Sequence, residues 1–192
     1  MEIQELNDEL KVKMLESEYK DKPPVFGYGP LNAKIALIGE APGGDEEKQG
    51  RPFVGKAGKN LTELLNTIGL SREEIYITNT VKIRPTKISP KTGNNLNRPP
   101  DKNEIVFFKP FLLRELEIIA PDYIVTLGNV ALNAVSDKKT GIGDCHGRIT
   151  DTGLYVNVFA LYHPAAIIYN QSLKQVYLDD LNKLATILKI ER

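Results

Sequence analysis

Residues 34–44, KIALIGEAPGG, set a short apolar run against a glycine stop, followed by a turn containing a proline and two more glycines. Six residues are too few for a stable helix, so the run reads as a buried strand that empties at Gly39 into a sharp turn. Outward from it, GKNLTELLNTIG places Leu61, Leu64, Leu65 and Ile68 on one helical face and closes at Gly69. Ser71 and Glu74 have the spacing of a capping box before IYITNTV, a second strand rich in branched residues. DYIVTLG is a third strand, NVALNAVS a helix, and LYVNVFALYHP a fourth strand. A first helix spans residues 4 to 19, ending before DKPP. Asp101 and Glu104 open another that runs to Ala120, which Pro110 is expected to kink or divide. The last helix, LKQVYLDDLNKLATILKI, turns Val176, Leu181, Leu184 and Ile187 or Leu188 inward. Strands alternating with helices predict an α/β fold, a three-layer α/β/α sandwich around a mainly parallel four-stranded sheet.

In such folds ligands collect beyond the carboxyl ends of the strands. Glu40 follows the first strand, Asn79 lies near the end of the second, Gly128 ends the third and His163 the fourth. All four are expected on one rim. Glu40 and the trio Asp45, Glu46 and Glu47 lie on a loop that glycine lets fold over a ligand, where a carboxylate can activate water or stabilise a cation. Magnesium binding is the competing chemistry, and solvated turn carboxylates are the plain reading of Asp45 and Glu47. GEAPGG lacks the lysine and hydroxyl of a nucleotide phosphate loop. Phe53 alone reads as core, Asn79 as a turn former and His163 as structural. Set on one rim, Asn79 suits the edge of a planar base, and Pro164 fixes the backbone that presents His163. His146 carries no functional signal.

With 192 residues, 41% apolar and 26% charged, the chain fits one domain over residues 1–192. No run approaches the roughly 20 apolar residues of a membrane span. The first 20 residues lack the apolar core of a secretory signal, so a soluble cytoplasmic protein is expected. The single cysteine, Cys145, excludes an intrachain disulfide and a thiolate metal cluster. Net charge is zero, yet Lys82, Arg84, Lys87, Lys91, Arg98 and Lys102 face only Asp101 within their segment. This is a candidate phosphate-contacting patch or a solvated loop. The turn-rich stretch from Ile83 to Pro100 shows no period of its own.

Five blocks, GEAPGGDEEKQGRPFVGKAG, YITNTVKIRP, NRPP, PDYIVTLGNVAL and YHPAAIIYNQSLKQVYLDDL, resemble in order those of the uracil-DNA glycosylase superfamily. The likeness covers about Val25 to Leu184 and is greatest to family 4, the thermophile type. The resemblance implies a repair enzyme that flips uracil out of DNA and hydrolyses its glycosidic bond without a lyase step. By the same resemblance, Phe53 stacks on the base, Asn79 reads its edge and the backbone of Glu40 and Ala41 lines the pocket. His163 donates to the uracil oxygen that gains charge, Glu40 handles the water or the sugar cation, and Glu46 stands near uracil C5. Lys82, Arg84 and Arg98 are expected on the DNA backbone, with Ile167 or Ile168 as the wedge that enters the duplex. The expected partner is uracil-containing DNA, bound by a monomer, with no membrane and no metal or other cofactor.

One departure is large. Family 4 members usually hold a four-iron, four-sulfur cluster with four cysteines, whereas here Ile83 and Phe108 stand at two of those positions and the first forty residues contain none. The cluster is expected to be absent, with Ile83 and Phe108 packing in its place. A non-catalytic DNA-binding relative is the rival reading. A glycosylase for another deaminated base, such as hypoxanthine, is a third.

Overall fold

The computed structural model describes residues 2–137, 139–153 and 156–189. Among the described residues seven strands are formed: β1 (Ile35–Gly39), β2 (Tyr76–Asn79), β3 (Thr86–Ile88), β4 (Asn95–Asn97), β5 (Tyr123–Leu127), β6 (Ile149–Thr150) and β7 (Asn157–Leu161). The same residues form the α-helices α1 (Ile3–Leu15), α2 (Gly44–Gln49), α3 (Lys56–Asn66), α4 (Lys102–Ile119), α5 (Gly128–Ala134), α6 (Ile142–Cys145), α7 (Pro164–Tyr169) and α8 (Leu173–Leu188). The main sheet has the order β2-β1-β5-β7-β6. Its first four strands run parallel, and β6 is antiparallel to β7. The sheet therefore has five strands rather than the expected four. The additional one is a two-residue edge strand, too short to leave a period in the sequence.

Both faces of the sheet are covered, which is why its strands read as continuous apolar runs. Ile35 and Leu37 of β1, Val125 and Leu127 of β5, and Phe159 and Leu161 of β7 meet Leu61, Leu64 and Leu65 of α3 and Leu181 and Leu184 of α8. The alternate residues, Ala36, Ile38, Ile124, Val158 and Ala160, meet Leu112 and Leu116 of α4 and Ala131 and Leu132 of α5. Each fully buried leucine contributes roughly 1.5–3 kcal/mol, so these two layers hold the strand ends in fixed positions.

Local signals place several element ends. Asp101 accepts from the Glu104 amide while Glu104 accepts from the Asp101 amide, a reciprocal cap that starts α4. Ser71 and Glu74 cap one turn of 3-10 helix (Arg72–Glu74) in the same way before β2. Pro110 does not divide α4. It lies on the exposed face beside Val106, where water can serve the carbonyl that its missing N–H leaves free. The segment from Ile83 to Pro100 is not structureless: β3 and β4 pair antiparallel as a separate hairpin. The acids of residues 45–47 sit on α2 rather than on an open loop. Leu154 and Tyr155, at the start of the run assigned to the fourth strand, and Ile190, at the end of the last helix, lie outside the described residues.

Candidate active site

β1 and β2 are parallel and in register, so Gly39 and Asn79 stand side by side at their carboxyl ends. A Cβ on Gly39 would lie 2.4 Å from Asn79 Oδ1 and 2.5 Å from the Phe53 ring, so only glycine fits there. Phe53 is 6% exposed and adopts a left-handed backbone, φ +54°, that a bulky residue rarely accepts. Its surroundings fix it there. The Arg72 guanidinium donates to the Phe53 carbonyl at 2.7 Å and to the Pro52 carbonyl at 2.6 Å. Gly58 packs so closely that its Cβ would come within 1.8 Å of the Phe53 carbonyl oxygen.

The two arms of the Gly39–Gly55 loop are tied by Glu46. Its carboxylate accepts from the Gly43 amide at 3.1 Å and the Gly55 amide at 2.8 Å. Glu47, the next residue, pairs with Arg84 at 3.2 Å. Neither acid is a loose solvated group.

Asn79 is 2% exposed, and its Oδ1 has no hydrogen-bond partner. Its backbone carbonyl accepts from Lys82 Nζ at 2.9 Å. A buried acceptor without a partner costs about 1–3 kcal/mol, a cost that a ligand donor would remove.

His163 caps the N-terminus of α7, with Nδ1 accepting from the Ala165 amide at 3.2 Å. Burial pushes its pKa down to about 4, so the ring is neutral near pH 7. With Nδ1 engaged as an acceptor, the proton sits on Nε2. The rings of Phe53 and His163 are 6.1 Å apart at 33°.

A cleft of about 380 Å³ opens over these groups, lined among others by Ala41, Glu46, Phe53, Asn79, His163 and Ile168. These six residues, together with Asp45 of the acidic trio, were singled out from sequence and share one cavity. Glu40 does not contribute to its lining; it stands between Gly39 and Ala41, and burial raises its carboxyl pKa. Asn97, Lys56 and Tyr169 also line the cleft and were not anticipated. Asn97 arrives on the hairpin, whose exposed strands carry no apolar alternation to betray them.

The expected DNA contacts need correction. Lys82 is 2% exposed and cannot reach a phosphate, because its ammonium is buried against Glu115, the Thr78 hydroxyl and the Asn79 carbonyl. Glu115 also accepts from Tyr76 and Thr78. Arg98 is committed to Glu104 through two bonds of 2.7 and 2.8 Å, and Arg84 to Asn97 and Glu47. Ile167 is 4% exposed and belongs to the core, whereas Tyr169, at the end of the same helix, is 89% exposed. Ile167 is therefore not available to leave the protein surface, and the residues of α7 that border the cleft are Ile168 and Tyr169. His146 is structural: its Nδ1 meets Asp180 at 2.6 Å and its ring lies on Tyr162.

Because Lys82 and Glu115 neutralise each other out of water, Lys82→Met should leave a buried carboxylate unpaired and cost about 3–5 kcal/mol. For a chain of this size that is a fall in melting temperature on the order of 10 °C. Lys82→Met with Glu115→Gln should recover much of it, and thermal melts of the single and double variants check both statements.

The residues do not fit an iron–sulfur cluster. Ile83 and Phe108 are fully buried with Val81 and Phe111 against Leu6, Leu10 and Met14 of α1. Cys145, the chain's one cysteine, is buried on α6 with its Sγ directed at the Gly141 carbonyl. Apolar packing fills the place of thiolate ligands.

Comparison with known proteins gives the family. The family model for the uracil DNA glycosylase superfamily matches residues 26–185. A type-4 uracil-DNA glycosylase from Saccharolobus solfataricus is 41% identical over 175 residues, covering 87% of this chain and 77% of that protein. Those from Archaeoglobus fulgidus and Thermotoga maritima are each 41% identical over 170 residues, covering 85% and 87% of this chain and 81% and 84% of theirs.

Proposed function

The chain belongs to the uracil-DNA glycosylase superfamily, and from that premise we infer that it is a DNA-repair hydrolase that releases uracil from DNA and leaves an abasic site. The observation that carries the assignment of the site is the unpartnered Asn79 Oδ1, buried beside Phe53 and across the cleft from His163. Uracil presents a donor, N3–H, between two carbonyl acceptors. Asn79 can accept from N3–H and donate to O4, whereas cytosine offers the opposite pattern at both atoms.

Extruding the base from its stack costs a few kcal/mol. Stacking on an aromatic ring returns about 1–3 kcal/mol. Phe53 supplies that surface without having to move, since its backbone is held by Arg72 and Gly58. Thymine differs from uracil by one methyl at C5, so rejection has to be steric. The turn that Glu46 cross-ties, Gly43 to Gly55, is the wall we assign to this task.

In the reaction the N1–C1′ bond breaks with its electron pair leaving on the base, and the sugar becomes oxocarbenium-like. Negative charge grows on uracil O2, and the neutral His163 Nε2–H donates to it. Water adds at C1′ and loses a proton. Glu40, made more basic by its burial, accepts that proton or balances the sugar cation. Tyr169 and Ile168 stand at the mouth to fill the space vacated in the duplex.

The test is release of uracil from an oligonucleotide followed by alkaline strand scission, run beside oligonucleotides bearing hypoxanthine and xanthine. Scission confined to uracil is expected. Binding of the uracil strand with no abasic product would instead favour a non-catalytic DNA-binding protein.

A further inference from the structure

The hairpin of β3 and β4 has no place in the chemistry above, yet it stands at the cleft. Asn97 at its base lines the cavity, with its Oδ1 held by Arg84 Nε at 2.7 Å. Arg84 also reaches Glu47 on α2, joining the hairpin to the Gly39–Gly55 loop. On the other side, Arg98 donates to the Thr86 carbonyl and grips Glu104 of α4, and Lys22 reaches Thr86 Oγ1. The turn is closed by its own bonds, Ser89 N–H to the Asn94 carbonyl at 2.8 Å and Gly93 N–H to the Ser89 carbonyl at 2.9 Å. Two three-residue strands would be marginal alone in water, so these anchors are what keep the hairpin formed.

What the hairpin presents is unusual for a solvent-facing element. Ile88 is 65% and Leu96 44% exposed. Lys87 and Lys91 are exposed, no carboxylate pairs with either among the described residues, and the stretch Thr86–Pro100 contains no acid. Pairing of Ile88 with Asn95 and of Thr86 with Asn97 puts Ile88 on the same face as Asn97, which borders the cleft. Lys87 and Leu96 share the other face.

We propose that this hairpin is a strand-holding arm, which rests Ile88 of its cleft-side face on the sugar or base beside the extruded nucleotide and holds the flanking DNA backbone with Lys91 at its turn and Lys87 on its other face. The proposal rests on the glycosylase reading, and two observations choose DNA as the occupant. The arm's charge is wholly positive where the substrate is a polyanion, and its surface is continuous with the cleft that takes the base. Three residues of strand extend about 10 Å. At about 3.4 Å per nucleotide along a strand, the arm covers some three nucleotides on its side of the cleft. Arg84 and Arg98 then serve as its anchors rather than as contacts to DNA.

Each phosphate neutralised on a single strand adds about 0.7 to the slope of log K against log salt. Binding of a fluorescent uracil-free oligonucleotide, which is not turned over, is titrated across a salt series for the wild type, Lys87→Ala/Lys91→Ala, Ile88→Asp and Lys34→Ala. Lys34 is exposed at the opposite end of β1 and controls for overall charge. The double variant should lose about 1.4 from the slope. It should bind roughly tenfold more weakly at low salt, its KM for uracil DNA rising in parallel, and Ile88→Asp should weaken binding at an unchanged melting temperature. Wild-type slope and affinity in the double variant, or an equal loss per lysine in Lys34→Ala, would overturn the arm. Uracil release by the wild type is read separately: its absence strikes the glycosylase reading, and the salt slopes still decide the arm.

Discussion

His163→Ala should slow release of uracil under single-turnover conditions by about 10²–10³-fold, while affinity for DNA changes far less. The effect is electrostatic. A donor aimed at developing negative charge in a water-poor site is worth about 3 kcal/mol in the transition state and little in the ground state. Burial holds the imidazole pKa at about 4, and the Ala165 amide occupies Nδ1, so the donor is a neutral N–H across the physiological range. The rate should therefore show no inflection near pH 6.5, where an ordinary histidine titrates. The same shift has a stability signature. Because the folded pKa lies below the unfolded value, the ring's contribution is complete above about pH 6.5 and drains away as pH falls towards 4. The melting temperature of His163→Ala should thus decline less over that interval than that of the wild type. Comparable losses in binding and in cleavage would remove His163 from the reaction.

Glu40→Gln should divide activity from stability. Loss of the carboxylate is expected to cost about 10²-fold or more in rate, the usual scale for a positioned base. Yet the fold should become more stable at pH 7. Burial raises the Glu40 pKa, so the folded state favours the protonated acid, and keeping the charge above that pKa is a cost which the neutral amide avoids. In the wild type the rate should fall as pH drops through the raised Glu40 pKa; in Glu40→Gln that acid limb should disappear. Rate profiles and melting curves over the same pH series provide the check. A variant that loses rate and stability together would make Glu40 a structural residue.

What the sequence disclosed about the site follows from one rule of sheet geometry. Parallel strands bring their carboxyl ends to a common edge, so Gly39, Asn79 and His163 could be joined without knowledge of any contact. Lys82 could not be read correctly, because its partner Glu115 lies 33 residues away on α4 and nothing local tells a buried ammonium from a solvated one. Ile167 and Tyr169 share a helix of six residues, too short for a 3.6-residue period to reveal which face turns inward. The hairpin stayed hidden for the opposite reason: its strands are exposed on both faces, and strand detection depends on one being buried. The packing of Ile83 with Phe108 was legible, since two apolar residues standing where the resemblance sets cysteines leave little other use for them.

The left-handed backbone at Phe53, clasped by Arg72 and abutted by Gly58, also bears on how the enzyme meets a genome of undamaged bases. With Phe53 as the proposed stacking surface, the entropy of ordering that ring is lost when the chain folds, not at each encounter, so sampling a base needs no rearrangement of this residue. A rigid shelf also cannot yield to a bulkier visitor, which turns fidelity into a property of the apo protein.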